Sequence, residues 1–154
     1  VSAPVTLRRY TAADEAETFA LWIETWQTAY PHLDFAARRD ALRERWHNEI
    51  APLPIIVLGV AGGRIVGFFT LEPDRNYIDQ LAVAPHAWGT PFAAALMDEA
   101  KRLSPVALEL NVNQDNARAL RFYAKHGFAM TREDINPRSG APIVWMRWQG
   151  AQPA

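Results

Sequence analysis

The sequence contains no cysteine. That absence excludes disulfides, thiolate metal sites and any covalent route that carries an acyl group on a cysteine sulfur. Long apolar runs are also missing. The longest strongly apolar stretch, Ile55 to Ala61, falls far short of the ~20 residues a membrane-spanning helix needs. The segment Val5 to Tyr10 lacks the apolar block of a secretion signal. No membrane partner is expected, and the expected location is cytoplasmic. Neither sign of charge dominates: 16 Lys and Arg against 17 Asp and Glu leave a net charge of -1. With no general field to gather a phosphate backbone, nucleic acid is not an expected partner. The histidines, His32, His47, His86 and His126, show no metal-ligand spacing, so no metal is expected.

What is present is apolar content in the right amount for one core. At 154 residues and 49% hydrophobic, the chain suits a single domain spanning 1–154. Val5 to Tyr10 alternates like a strand, and Thr11 to Asp14 makes a capping-box start in which Asp14 replaces the usual Glu. Phe19, Trp22, Ile23, Trp26 and Tyr30 then share one helical face until Pro31 stops the run. This stripe reads mainly as core, with a substrate wall as its other use. A second helix is expected from Asp34 to Ile50, with Arg38, Arg39, Arg43 and Arg45 mostly outward.

Ile55 to Ala61 and Ile65 to Leu71 flank Gly62-Gly63, the signature of an antiparallel hairpin. After a turn at Pro73 to Asn76, the strand Tyr77 to Val83 sends Tyr77, Asp79, Leu81 and Val83 one way and Ile78, Gln80 and Ala82 the other. Thr90-Pro91 opens a helix that ends before Pro105. The strand Val106 to Val112 follows a strand and a helix, so it should lie parallel to Tyr77–Val83 through a right-handed crossover. A helix from Asn116 to His126, closed by Gly127, and strands Phe128 to Arg132 and Ile143 to Trp148 complete the chain. Trp145, Met146 and Trp148 make the last strand either core or a dimer edge. The fold class is α/β (α+β): a mixed, mostly antiparallel sheet of about seven strands with one central parallel β-α-β unit and helices on both faces. Ligands of such sheets collect beyond the carboxyl ends of the parallel strands, where a helix N-terminus offers free N–H groups to anions.

Asn116-Ala117-Arg118-Ala119-Leu120-Arg121-Phe122-Tyr123-Ala124-Lys125-His126-Gly127-Phe128 matches the pattern N-x-x-A-x-x-F-Y-x-x-x-G-F at every specified place. With this segment and the order of its elements from Val5 to Trp148, the sequence resembles the GNAT acetyltransferase superfamily. A second segment, Leu81 to Leu96, is similar to that family's strand, V-x-P step and pyrophosphate loop. Val83, Pro85, Gly89, Ala93 and Leu96 fit, while Trp88 replaces the usual Arg or Gln and Pro91 the central glycine. Trp88 removes a polar or cationic side chain and Pro91 one backbone donor, which leaves Gly89, Thr90, Phe92 and Ala93 as donors.

The resemblance implies acetyl-CoA as co-substrate and a primary amine, on a small molecule or a protein, as acceptor for direct attack in a ternary complex. It implies that Asn116 holds the pantetheine arm and that the Tyr123 hydroxyl sits near the thioester sulfur as general acid. Backbone N–H groups at Leu81, Ala82 and Val83 would bind the arm and polarise the carbonyl, and the loop residues Trp88, Gly89, Thr90, Phe92, Ala93 and Ala94 would meet the phosphates. Ala119, Phe122 and Lys125 join the cofactor-binding set, although Ala119 also lets helix approach sheet and Phe122 also serves the core. For the base, Tyr77 stands where relatives often carry a glutamate and is a poor substitute at neutral pH. Asp79 is the first candidate, with Glu109 in reserve; Glu109 and Glu72 also suit recognition of a cationic substrate. The oligomeric state reads as monomer or homodimer. The alternative reading, motivated by Trp88 and Pro91, is a non-catalytic module of the same fold with a degenerate pyrophosphate loop.

Overall fold

The computed structural model describes residues 4–150, so the ends of the expected span 1–154 lie outside the described residues. The chain runs β1 (Thr6–Arg9), α1 (Glu15–Ala29), α2 (Arg39–Arg45), β2 (Ile55–Ala61), β3 (Arg64–Glu72), β4 (Tyr77–Val83), α3 (Phe92–Leu103), β5 (Ala107–Asn113), α4 (Ala117–Lys125), β6 (Ala129–Ile135) and β7 (Pro142–Gln149). The strands form one sheet in the order β1-β2-β3-β4-β5-β7-β6. Every adjacent pair is antiparallel except β4 with β5.

Aromatic side chains on α1 and α2 cover one face. Phe19, Trp22, Trp46 and Phe68 are fully buried, with the Trp46 ring centred 5.5 Å from both Trp22 and Phe68. Each such side chain contributes roughly 2–3 kcal/mol through the apolar surface it removes from water. The capping box at the start of this layer forms: the Thr11 N–H donates to Asp14 Oδ2 at 2.9 Å. The same carboxylate accepts from Arg8 at 2.9 Å.

The opposite face carries α3 and α4. A Cβ on Gly59 would lie 2.6 Å from the Phe92 ring, so glycine there lets α3 seat its first aromatic against the sheet. Trp148, beneath the Lys101 ammonium of α3 at 4.8 Å and 3.2 Å from a Cβ placed on Gly127, joins both helices on one face. Right-handed crossovers from β4 to β5 and from β5 to β6 require this.

Two expectations change, for the second helix and for Arg45, and one open alternative is decided, for the last strand. Residues 34–38 do not join the second helix, because Asp34 Oδ1 accepts the Ala37 N–H at 3.0 Å and holds a local turn. The last part of that helix, Trp46–Ile50, is π-helical, the Ala51 N–H reaching Trp46 O at 2.8 Å. Arg45 is not outward: its guanidinium sits 5.6 Å from the Trp22 ring and pairs with Glu49 at 3.4 Å. Finally, β7 is an interior strand between β5 and β6, so its Trp145, Met146 and Trp148 are not a sheet edge.

Candidate active site

The site begins with a fault in a ladder. Leu71 pairs with Ile78, but Phe69 pairs with Leu81, so three steps of β4 oppose two of β3. This is a β-bulge, and it breaks the strict alternation expected over Tyr77 to Val83. Ile78 and Leu81 now share the α3 face, while Asp79 and Gln80 both turn to the α1 face. The Gln80 N–H leaves the ladder and donates to the buried Thr70 Oγ1 at 2.9 Å.

The bulge bends β4 away from β5. These parallel strands share one rung, Tyr77 with Glu109, beside which the Glu109 N–H donates to Asn76 O at 2.7 Å. Beyond it they separate. The Ala84 N–H bonds back to Val66 O at 2.7 Å, so by the period of two Ala82 faces β3 and the backbone groups of Leu81 and Val83 face the opening, where the Trp88 indole takes Val83 O. Of the three residues named for that role, Ala82 points its N–H to β3 instead.

At the carboxyl end of β4 the chain turns through Gly89 at φ 79, with nothing within 4 Å of a Cβ placed on it. A side chain would be strained there. Pro91 leaves the helix start undistorted: its φ is -66, and its carbonyl accepts from Ala95 at 3.1 Å. The donor set differs from expectation. The Thr90 N–H is taken by Ala87 O at 3.2 Å, and the Phe92 N–H by Thr90 Oγ1 at 3.3 Å. Among the described residues, the N–H groups of Gly89, Ala93 and Ala94 have no backbone partner. The Phe92 side chain is buried in the core.

Trp88 donates its indole N–H to Val83 O at 2.8 Å, and the Arg118 guanidinium lies 3.7 Å from the centre of its ring system. Asn116 caps α4 through Oδ1, which accepts the Ala119 N–H at 3.2 Å. Thr28 to Tyr30, Trp88 and Asp115 to Arg118 enclose a cleft of about 280 Å³. The Tyr30 hydroxyl spans it, accepting from Asn113 at 2.9 Å and donating to Asp115 at 3.0 Å. Lys125 stands at the other end of α4 and is not brought to this cleft. Phe122 packs its ring 4.4 Å from His126, also toward that end, and Ala119 packs against the core.

The titratable groups divide between the faces. Tyr123, on the α4 side, is buried, and burial pushes its hydroxyl up to about 12, against a lowering by the Arg118 charge. On the α1 side, Asn111 donates to the Tyr77 hydroxyl at 3.0 Å. Burial, and next the Asp79 charge, raise Tyr77 above its ordinary value, so it stays protonated at neutral pH. Asp79 accepts from Gln80 Nε2 at 3.1 Å. Glu109 pairs with Arg147 at 3.7 Å and Glu72 with Arg75 at 3.3 Å. Among the described residues, no three His, Asp or Glu side chains cluster as metal ligands, and no helix is long and apolar enough to cross a membrane.

Sequence reasoning passed over Asn111, Gln80, Asp115 and Arg118. One signal was available: Glu109, Asn111 and Asn113 place a polar residue at every second position of a central strand, where a strand buried on both faces would be continuously apolar.

A profile of the acetyltransferase (GNAT) family matches residues 16–128. The chain is 27% identical over 149 residues to the peptidyl-lysine N-acetyltransferase YjaB of Escherichia coli, covering 96% of this chain and 99% of that protein. To the YjaB of Salmonella typhimurium it is 28% identical over 127 residues, 82% and 85% of the two chains. Among solved structures, the apo form of E. coli YjaB superposes with a TM-score of 0.79 at 24% identity, over 96% of this chain and 99% of that one. The PaiA N-acetyltransferase of Thermoplasma acidophilum, in complex with coenzyme A, gives 0.79 at 18% identity over 95% and 99%. With a bulged strand parting from its parallel neighbour beside a glycine turn and an asparagine-capped helix, and with a family profile matched over most of its length, the chain belongs to the GNAT family of acetyltransferases.

Proposed function

We propose that this chain, acting as one domain, moves the acetyl group of acetyl-CoA to a primary amine by direct attack in a ternary complex, and that the acceptor is a lysine side chain. The observation that carries the reading is the opening between β4 and β5, with Tyr123 on one side of the sheet and Asp79 and Tyr77 on the other. Donor and acceptor can then enter from opposite faces and meet between the strands. The residues fit acetyl-CoA: the N–H groups of Leu81 and Val83 face the opening, although Val83 O is taken by the Trp88 indole, and the N–H groups of Gly89, Ala93 and Ala94 collect at the start of α3, where the helix dipole favours anions. Asn116 retains its side-chain N–H₂ for the pantetheine arm.

Acetyl-CoA supplies a reactive thioester when bound. Around it, Leu81 and Val83 orient the arm, and their N–H groups favour negative charge on the carbonyl oxygen. Tyr123 holds a proton for the departing thiolate. Asp79 takes the proton of the incoming amine, directly or through water, and the Tyr77 hydroxyl keeps a donor free toward the acceptor because Asn111 fills its acceptor side. The lysine assignment draws on relatives named for peptidyl-lysine acetylation, and on the Asp79 carboxylate beside Tyr77; that carboxylate has no arginine partner among the described residues, whereas Glu72 and Glu109 already pair with Arg75 and Arg147. The non-catalytic reading rested on Trp88 and Pro91; Pro91 preserves the helix start, and membership of an acetyltransferase family weighs against it. Lysine-containing peptides incubated with acetyl-CoA and the protein, then read by mass spectrometry, should gain one acetyl group on the side-chain nitrogen. Release of no thiol with any lysine or small-molecule amine would reject the proposal.

A further inference from the structure

We infer that Arg118 supplies the phosphate-binding cation that the loop after β4 lacks, and that Trp88 holds it in place; this rests on the acetyl-CoA reading above. From Ala84 to Ala95 the loop contains no lysine or arginine, so its own chemistry toward a diphosphate is limited to backbone N–H groups. Arg118 comes from another element, the first turn of α4, and reaches the loop with its guanidinium carbon 3.7 Å from the centre of the Trp88 ring. The indole is itself fixed by its N–H bond to Val83 O at 2.8 Å. Trp88 is therefore a plate between the end of β4 and the start of α4, and both residues line the same cleft.

The charge is poorly placed for stability alone. A cation in the first turn of a helix opposes the helix dipole. Seven other arginines have carboxylate partners within 4.0 Å, namely Arg8, Arg45, Arg75, Arg102, Arg132, Arg138 and Arg147. Arg118 has none among the described residues, its neighbour Asp115 being occupied by the Tyr30 hydroxyl at 3.0 Å. Among the described residues the Arg118 guanidinium donates no hydrogen bond, and its N–H fork matches two oxygens of a phosphate. An arriving anion would satisfy a group that the free protein leaves without an acid.

The test is calorimetric titration of the full chain with CoA, paired with thermal unfolding without ligand. Arg118→Gln should raise the Kd for CoA about tenfold or more while the unliganded Tm stays within about 2 °C of wild type, and Arg118→Lys should recover part of the loss. In a Trp88→Ala background the same Arg118→Gln change should cost less, because the plate is gone. A Kd within about twofold of wild type, or a loss of affinity matched by a fall in unliganded Tm, overturns the inference. A full Arg118→Gln effect in the Trp88→Ala background overturns the part given to Trp88. If wild type itself does not bind CoA, the functional reading falls with it; if wild type binds and Arg118→Gln binds equally, only this inference falls.

Discussion

Trp22 sets the orientation of Gln80. An indole N–H can only donate, so its 2.9 Å partner on Gln80 must be the amide oxygen, and the Gln80 N–H₂ is left to donate to Asp79 at 3.1 Å. Because Trp22 is fully buried, a core residue of α1 fixes the position of a carboxylate beside the opening of the sheet.

From this arrangement, Asp79→Asn should lower turnover about a hundredfold at neutral pH, the usual scale for removing a general base. The deficit should narrow as pH rises and more of the acceptor amine is neutral without help. Glu109→Gln should cost less, since that carboxylate already pairs with Arg147 at 3.7 Å. A pH–rate profile of both variants checks this, and a constant deficit for Asp79→Asn at all pH values would remove it as the base.

Tyr123→Phe should reduce turnover at least tenfold with a smaller effect on CoA affinity, measured by steady-state kinetics beside titration. Its pH behaviour has a definite sign. Burial raises the folded-state value to about 12 from an ordinary 10.0, so the folded protein holds the proton more tightly than the unfolded chain. The associated stability is fully present below pH 10 and is lost as pH rises from 10 toward 12. Denaturant unfolding of wild type should weaken over that range, and Tyr123→Phe should remove this part of the slope.

Asp14 predicts the opposite trend. The Arg8 hydrogen bond, with the bonds from Thr11, pulls its carboxyl down to about 2 from an ordinary 3.8, so its contribution is present above about pH 4 and is lost as pH falls through 2. Asp14→Asn should cost about 1 kcal/mol at pH 7, a typical value for a cap joined to a half-exposed ion pair, and the cost should shrink in acid. Thermal unfolding at neutral and low pH reads both effects.

Much of the fold was legible because period and punctuation agree along the chain. The Gly62-Gly63 hairpin, the crossover into β5 and the Gly127 stop all stand where spacing placed them. The bulge in β4 was not legible. Nothing in Tyr77 to Val83 departs from simple alternation, and the shift arises only when Phe69 and Leu71 of another strand take Leu81 and Ile78 as partners. The same limit hid Arg118: stacking on Trp88 joins residues thirty positions apart, and local sequence cannot report that they meet. Arg45 misled for a related reason, since its half-buried place on Trp22 depends on how two helices pack. Motif spacing pointed to β4 and α4; which of their groups face the gap had to come from the sheet.

The account depends most on acetyl-CoA entering between β4 and β5 with its phosphates at the start of α3. Amide chemical shifts followed by NMR during titration with CoA test this directly. The largest changes should fall on Leu81, Val83, Gly89, Ala93, Ala94 and the first turn of α4, with β1 and β6 unaffected. Saturation with no change at Gly89 and Val83, or changes gathered on β6, would contradict it.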